Sequence, residues 1–201
     1  MEDRPIIHVI DDDAAMRDSL AFLLDVNGYK VLLYESANTF LEQAPTEAVT
    51  CVVSDIRMPG LNGIELVQRL KSRGSSYPVI LITGHGDVAL AVEAMKAGAV
   101  DFIEKPFDDA DILEAIRSAL SVRPLIQGNA AKKDAEARLS ELSPREWDVL
   151  RGLVAGRINK VIAHELNISP RTVEVYRANL MAKTGARSMS ELMRIALAAG
   201  L

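Results

Sequence analysis

Five short apolar runs rich in Val and Ile punctuate the first 121 residues: 6–10 (IIHVI), 30–34 (KVLLY), 51–54 (CVVS), 79–82 (VILI) and 100–103 (VDFI). Runs this short and continuous fit strands buried on both faces. Between and after them lie stretches of helical period near 15–26, 37–43, 62–73, 88–97 and 109–121, and Gly28, Gly74 and Gly98 stand where three of these should stop. Strand and helix alternating five times predict an α/β domain: a five-stranded, parallel, doubly wound sheet of flavodoxin-like type.

The pattern changes after residue 121. Residues 122–139 (VRPLIQGNAAKKDAEARL) break the alternation with Pro124 and Gly128, then turn Ala-rich and charged, which reads as a linker with a helical second half. From Leu142 onward strand patterns vanish and helix starts replace them: Ser143-Pro144-Arg145-Glu146, Ser169-Pro170, and Ser188 three residues before Glu191. The expected division is an α/β domain over 1–123, a partly helical linker over 124–139 and a small all-α domain over 140–201, as a chain of 201 residues allows. Charge follows the same division. Residues 1–124 carry 11 Lys and Arg against 20 Asp and Glu, whereas 140–201 carry 9 against 6, so only the second half can approach a polyanion. No run reaches bilayer length and the N-terminal residues do not read as a secretion signal, so a cytoplasmic location is expected. Cys51, the single cysteine, sits in an apolar run and is expected as a small buried hydrophobe.

In a parallel sheet, side chains that follow the C-terminal strand ends converge on one rim. Here that rim receives Asp11, Asp12 and Asp13 after the first run, Asp55 after the third, Thr83 after the fourth and Lys105 after the fifth. Carboxylates from two strands repel one another, which calls for a hard divalent cation such as Mg²⁺. With a cation, an ammonium and a hydroxyl around it, one carboxylate can take a phosphoryl group covalently. Asp55 is the better nucleophile because it leads the turn D-I-R-M-P-G, in which Pro59 and Gly60 leave it uncovered. Asp11 and Asp12 are the better metal ligands, and Asp13 is placed to cap the following helix. A cis Lys105-Pro106 bond would turn the ammonium toward the pocket. Acidic residues at strand ends often do no more than cap helices. An enzyme acting on small phosphomonoesters is the competing reading, but no Gly-rich phosphate loop or arginine cluster accompanies the carboxylates.

The segments VIDDD, VVSDIRMPGLNG, VILITGHGD and AVDFIEKPF resemble the signature segments of response-regulator receiver domains, over residues 5–121. That resemblance implies Asp55 as phosphoacceptor, Asp11, Asp12, Asp55 and the backbone carbonyl of Arg57 as the Mg²⁺ site, and Thr83, Phe102 and Lys105 as the switch. It also implies phosphorylation by a sensor histidine kinase and a phosphorylation-favoured homodimer face near Ala91, Val92, Met95, Lys96 and Asp101. The domain would catalyse only its own phosphotransfer and dephosphorylation. Periodicity alone would make Phe102 a core aromatic.

In the second half, helical segments near 144–155, 159–166, 170–184 and 189–199 are joined by short turns, and the middle pair has helix-turn-helix spacing. On the second helix of that pair, Val173, Arg177, Leu180 and Thr184 share one side, with Val173 and Leu180 as the main core contacts, and Arg171, Glu174, Val175 and Ala178 share the other. Spacing alone leaves duplex DNA, RNA and protein open as partners. The run LSPREWDVLRGLVAGRINKVIAHELNISPRTVEVYRANLMAKTGARS is similar to the LuxR and NarL class of DNA-binding domains, with Tyr176 where His is common and Thr184 where Leu is usual. The similarity implies Lys160, Arg171, Arg177 and Lys183 at phosphates, with Thr172 also in the interface, and Glu174, Val175 and Ala178 at base edges. Both halves look most like the rhizobial regulators of nitrogen fixation. That likeness implies a haem-based, oxygen-sensing kinase, promoter DNA and RNA polymerase as partners, and transcriptional activation under low oxygen.

Overall fold

The apolar runs form strands β1 (Ile6–Ile10), β2 (Lys30–Tyr34), β3 (Cys51–Asp55), β4 (Val79–Thr83) and β5 (Asp101–Glu104). All pair in parallel, in the order β2-β1-β3-β4-β5. The computed structural model describes residues 4–43, 51–75, 77–84, 88–121 and 129–201. Their Cα packing groups Met1–His85 with Ala97–Arg123 as one unit, and Gly86–Lys96 with Pro124–Leu201 as a second. The helices interleaved with the strands are α1 (Ala14–Val26), α2 (Ala37–Gln43), α3 (Gly63–Ser72), α4 (Val88–Ala97) and α5 (Asp109–Ser121).

Side chains alternate across a strand, so each strand feeds two cores. Ile7, Val9, Cys51, Val53, Ile80, Ile82 and Ile103 line one face of the sheet and pack with Leu20 and Leu24 of α1 and Ile112, Ala115, Ile116 and Ala119 of α5. Cys51 is fully buried there, and desolvation pushes its thiol pKa up to about 12, so it is inert as a nucleophile. Local chemistry sets the helix starts. Asp13 caps α1 by accepting from the Ala15 amide at 2.9 Å, and Asn62 and Glu65 form a reciprocal capping box at the start of α3.

His8 faces the other way and is fully buried. Its Nδ1 shares a 3.0 Å hydrogen bond with the Tyr34 hydroxyl, the two rings stack at 5.5 Å, and Phe40 meets the imidazole edge-on at 5.4 Å. Among the described residues Nε2 has no partner. Desolvation lowers the His8 pKa from 6.5 to about 4, so the folded chain holds the ring neutral where an unfolded chain would protonate it. Stability is then lost as pH falls from about 6.5 toward 4, by about 3 kcal/mol in all. His8→Phe should flatten this acid limb in urea titrations followed by circular dichroism. An unchanged pH slope would mean that His8 does not set it.

The second unit contains α6 (Asn129–Leu139), α7 (Pro144–Val154), α8 (Asn159–Leu166), α9 (Pro170–Thr184) and α10 (Met189–Ala198). Ser143, Ser169 and Ser188 cap α7, α9 and α10, with Pro144 and Pro170 in the first helical turn. Asn167 ends α8 in the left-handed region at φ 53°, which turns the chain within three residues into α9. Val149, Leu150, Leu153, Ile162, Val173, Leu180, Leu192 and Met193 are buried. On α7 the Arg151 guanidinium lies 5.7 Å from the centre of the Trp147 ring. The second half of the expected linker is helical from Asn129 and packs on α9 and α10, burying Ala135 and Leu139. Leu139→Ala is therefore expected to destabilise the intact chain by about 2–4 kcal/mol in chemical denaturation. A change below about 0.5 kcal/mol would mean that α6 is only a spacer. Among the described residues no helix is long and apolar enough to cross a membrane.

Candidate functional site

Asp55 is the last residue of β3 and is buried, not left uncovered by the turn at Pro59 and Gly60. The chain then folds back: the Ile56 amide donates to Ile82 O on β4 at 2.9 Å, and the Gly63 amide, opening α3, donates to Ile56 O at 3.0 Å. That close approach requires glycine. A Cβ at Gly63 would overlap the Asp55 carbonyl oxygen and press to 3.0 Å on Ile56 Cα and Leu81 Cδ2. Gly63→Ala should displace the turn carrying Asp55, costing about 1–3 kcal/mol of stability and slowing acetyl-phosphate labelling on the order of tenfold. Wild-type labelling rate and stability in that variant would refute the constraint.

The Asp55 carboxylate is held on both oxygens. Oδ2 accepts from the Arg57 amide at 2.5 Å, and Oδ1 accepts from Lys105 Nζ at 2.6 Å. Lys105 also reaches Asp11 Oδ2 at 3.3 Å, so one ammonium bridges two carboxylates from neighbouring strands. Asp11 Oδ1 accepts from the Asp13 amide at 2.8 Å, and Arg17 on α1 donates to the Asp11 carbonyl at 2.7 Å. Backbone geometry sets Lys105: its amide donates to Thr83 O at 2.8 Å, and the Lys105-Pro106 peptide is cis. Burial raises the Asp11 pKa, against the opposing effects of the Asp13 amide and Lys105. Burial works against the Lys105 charge, but the hydrogen bond and charge of Asp55, together with Asp11, outweigh it and hold the ammonium above the usual lysine range.

The remaining rim residues differ in exposure. Asp12 and Asp13 are exposed, and Asp13 serves as the α1 cap. Thr83 is buried and donates to Gly84 O at 3.4 Å, Arg57 is exposed, and Phe102 is half-buried on β5. Among the described residues no group of three His, Cys, Asp or Glu side chains stands ready to hold a metal. The donors present still suit a hard cation in kind. Asp11 and Asp55 offer carboxylate oxygens, and Asp11 carries a desolvation penalty that a bound cation would offset. A Mg²⁺ held by so few protein oxygens would keep several waters.

On α9, Arg171, Glu174, Val175 and Ala178 are exposed, as is Lys160 on α8, and Thr172 is half-buried. Val173, Leu180 and Thr184 face the core. Arg177 is half-buried and donates to Asn159 Oδ1 at 3.2 Å, while Lys183 is ion-paired to Glu146. Of the residues expected at a dimer face, Ala91, Val92 and Met95 are buried, Asp101 is half-buried and Lys96 is exposed. Sequence reading missed Arg17, Gly63 and Glu146. Of these, only Glu146 carried a local sign, as the third helical residue after the Ser143 cap.

One chain thus carries a parallel sheet with a Lys-bridged carboxylate pair at its central rim and a helix-turn-helix whose second helix exposes Arg171, Glu174, Val175 and Ala178. The response regulator receiver domain family matches residues 7–117, the LuxR family of bacterial regulatory proteins matches residues 140–196, and the chain belongs to the response regulators with a LuxR-type DNA-binding domain. Within that class it is similar to the transcriptional regulatory protein FixJ. Identity is 56% to FixJ of Bradyrhizobium diazoefficiens, over 97% of this chain and 96% of the relative, and 52% to FixJ of Rhizobium meliloti, over 96% of each. The response regulator TodT of Pseudomonas putida is 40% identical over 97% of this chain and 87% of its own length. Among solved structures, full-length FixJ from B. japonicum aligns with a TM-score of 0.58 at 56% identity, covering 98% of this chain and 97% of that one. The chain is a transcription regulator of a two-component system and not a metabolic enzyme.

Proposed function

We propose that Asp55 is the phosphoacceptor, and the observation that carries this is its buried carboxylate, held between Lys105 Nζ at 2.6 Å and the Arg57 amide. A carboxylate oxygen of Asp55 attacks the phosphorus of a phosphohistidine on a sensor kinase. The P–N bond breaks as the P–O bond forms, leaving an acyl phosphate on Asp55, while the kinase ring, protonated on its other nitrogen, departs as neutral imidazole. Lys105, already charged and already on Asp55, follows the new phosphoryl oxygens. Asp11, Asp12, Asp55 and the Arg57 carbonyl would hold Mg²⁺, which would further neutralise that charge. Thr83 and Phe102 then read the change.

The signal passes to a homodimer face around Ala91, Val92, Met95, Lys96 and Asp101. Ala91, Val92 and Met95 are buried, so the accessible part of that face is Lys96 with the half-buried Asp101. Lys160, Arg171, Thr172, Glu174, Val175, Arg177 and Ala178 meet promoter DNA, and RNA polymerase is recruited there. Functional boundaries at 1–123, 124–139 and 140–201 accompany this reading. The identity to FixJ over nearly the whole chain supports a FixL-like, haem-based oxygen-sensing kinase as phosphodonor, and nitrogen-fixation genes as targets under low oxygen. Incubation with acetyl phosphate and Mg²⁺, followed by intact mass, sedimentation and promoter-DNA affinity, tests the biochemical core. Phosphotransfer from purified FixL compared with an unrelated kinase tests the assignment of the donor. A stable mass, or a mass shift without change in assembly and affinity, would overturn the coupling.

A further inference from the structure

We propose that Lys183 is a positioning residue for the recognition helix α9, a clamp to Glu146 on α7, and not a ligand for DNA phosphate. Its Nζ lies 2.7 Å from Glu146 Oε2 and donates to the Glu141 carbonyl at 3.4 Å. The same Glu146 oxygen accepts from the Ser143 amide at 2.7 Å, as half of the α7 capping box. Glu146 is buried, with a side chain 4% exposed, while Lys183 is 39% exposed. A lysine turned outward to a phosphate would give up both this ion pair and its hydrogen bond to the Glu141 carbonyl. The hydrogen bond from Lys183, with that from the Ser143 amide, holds the Glu146 carboxyl below the usual range, so the ion pair is formed at neutral pH.

The place of this pair on α9 explains why it matters. The helix buries Val173, Leu180 and Thr184 and packs against α6, α7, α8 and α10. Even a small roll of this helix redirects Glu174, Val175 and Ala178 together. Two polar ties oppose the roll: Arg177 to Asn159 of α8, and Lys183 to Glu146 of α7 at the far end. Base readout needs the side chains held in register, whereas backbone attraction needs only charge nearby.

This rests on the DNA-binding role, and the experiment separates the two. The phosphorylated full-length chain is titrated, over a range of salt, with a duplex selected from a random pool by the wild type and with a scrambled duplex of the same length. Lys183→Met and Glu146→Gln should each weaken binding to the selected duplex about tenfold. They should leave the scrambled duplex and the salt slope unchanged, and the double variant should be no worse than either single one. Lys183→Arg should recover most of the loss. Thermal melts establish that each variant is folded, and Glu146→Gln with Lys183→Arg carry the test should Lys183→Met fail to fold. Lys183→Met weakening both duplexes alike, with the slope reduced by about one and Glu146→Gln unaffected, would make Lys183 a phosphate ligand and overturn the clamp. Wild-type affinity in every folded variant would overturn it too. Wild-type protein binding neither duplex would remove the DNA reading, and the clamp's purpose with it.

Discussion

Asp55→Asn is expected to reduce phosphorylation by acetyl phosphate to below roughly 1% of wild type, because an amide oxygen is too weak a nucleophile to attack phosphorus. The variant should still fold. The amide fills the same volume, its carbonyl can accept the Arg57 hydrogen bond, and Lys105 retains Asp11 as its counter-ion at 3.3 Å. Intact mass after incubation with acetyl phosphate and Mg²⁺ reads the outcome directly. Undiminished labelling would move the phosphoacceptor elsewhere, and Asp12, exposed beside the pair, would be the first place to look.

The second large effect is on DNA affinity. One helix-turn-helix presents few base-contacting side chains, and residues 140–201 carry a modest excess of three positive charges, so a single copy should bind weakly. Two copies joined by phosphorylation gain the effective concentration of a tethered pair, worth about 100-fold or more on a two-site promoter. We expect the phosphorylated chain to bind a promoter fragment that much more tightly than both the unmodified chain and the isolated segment from residue 124, all measured at one salt concentration. Strong binding by the isolated segment, with weak binding by the intact unmodified chain, would instead locate control in restraint by the receiver. Equal affinity for all three would refute control by the receiver in either form.

Much of the architecture was legible because it repeats. Each expected strand lies within one residue of its observed ends; β1, β3 and β4 are short buried apolar runs, whereas the edge strands β2 and β5 are only partly buried. The rim residues could be gathered from chain order alone, because parallel strands all end on the same side. What escaped the sequence was long-range or steric. Lys183 has its partner 37 residues away, so from the sequence it was one more cation on a basic helix. Gly63 is constrained by the carbonyl of Asp55, a contact without periodicity. Among the described side chains of α6, Ala135 and Leu139 are the buried ones, four residues apart in a charged stretch, too thin an apolar stripe to distinguish a docked helix from a linker. The dimer face illustrates the reverse. A helix face can be read as apolar from sequence, but whether Ala91, Val92 and Met95 are covered depends on what the rest of the chain lays against them.

Trp147, the chain's one tryptophan, lies on α7 beneath the Arg151 guanidinium, whereas Tyr29, Tyr34 and Tyr77 lie in the sheet domain. The protein therefore carries its own pair of optical labels. Indole emission excited beyond the tyrosine band follows the DNA-binding unit, while tyrosine absorbance is weighted toward the receiver. Unfolding curves that coincide in both channels would mean that the units melt as one cooperative body. Curves that separate would give each unit its own midpoint, without truncating the chain or attaching a dye.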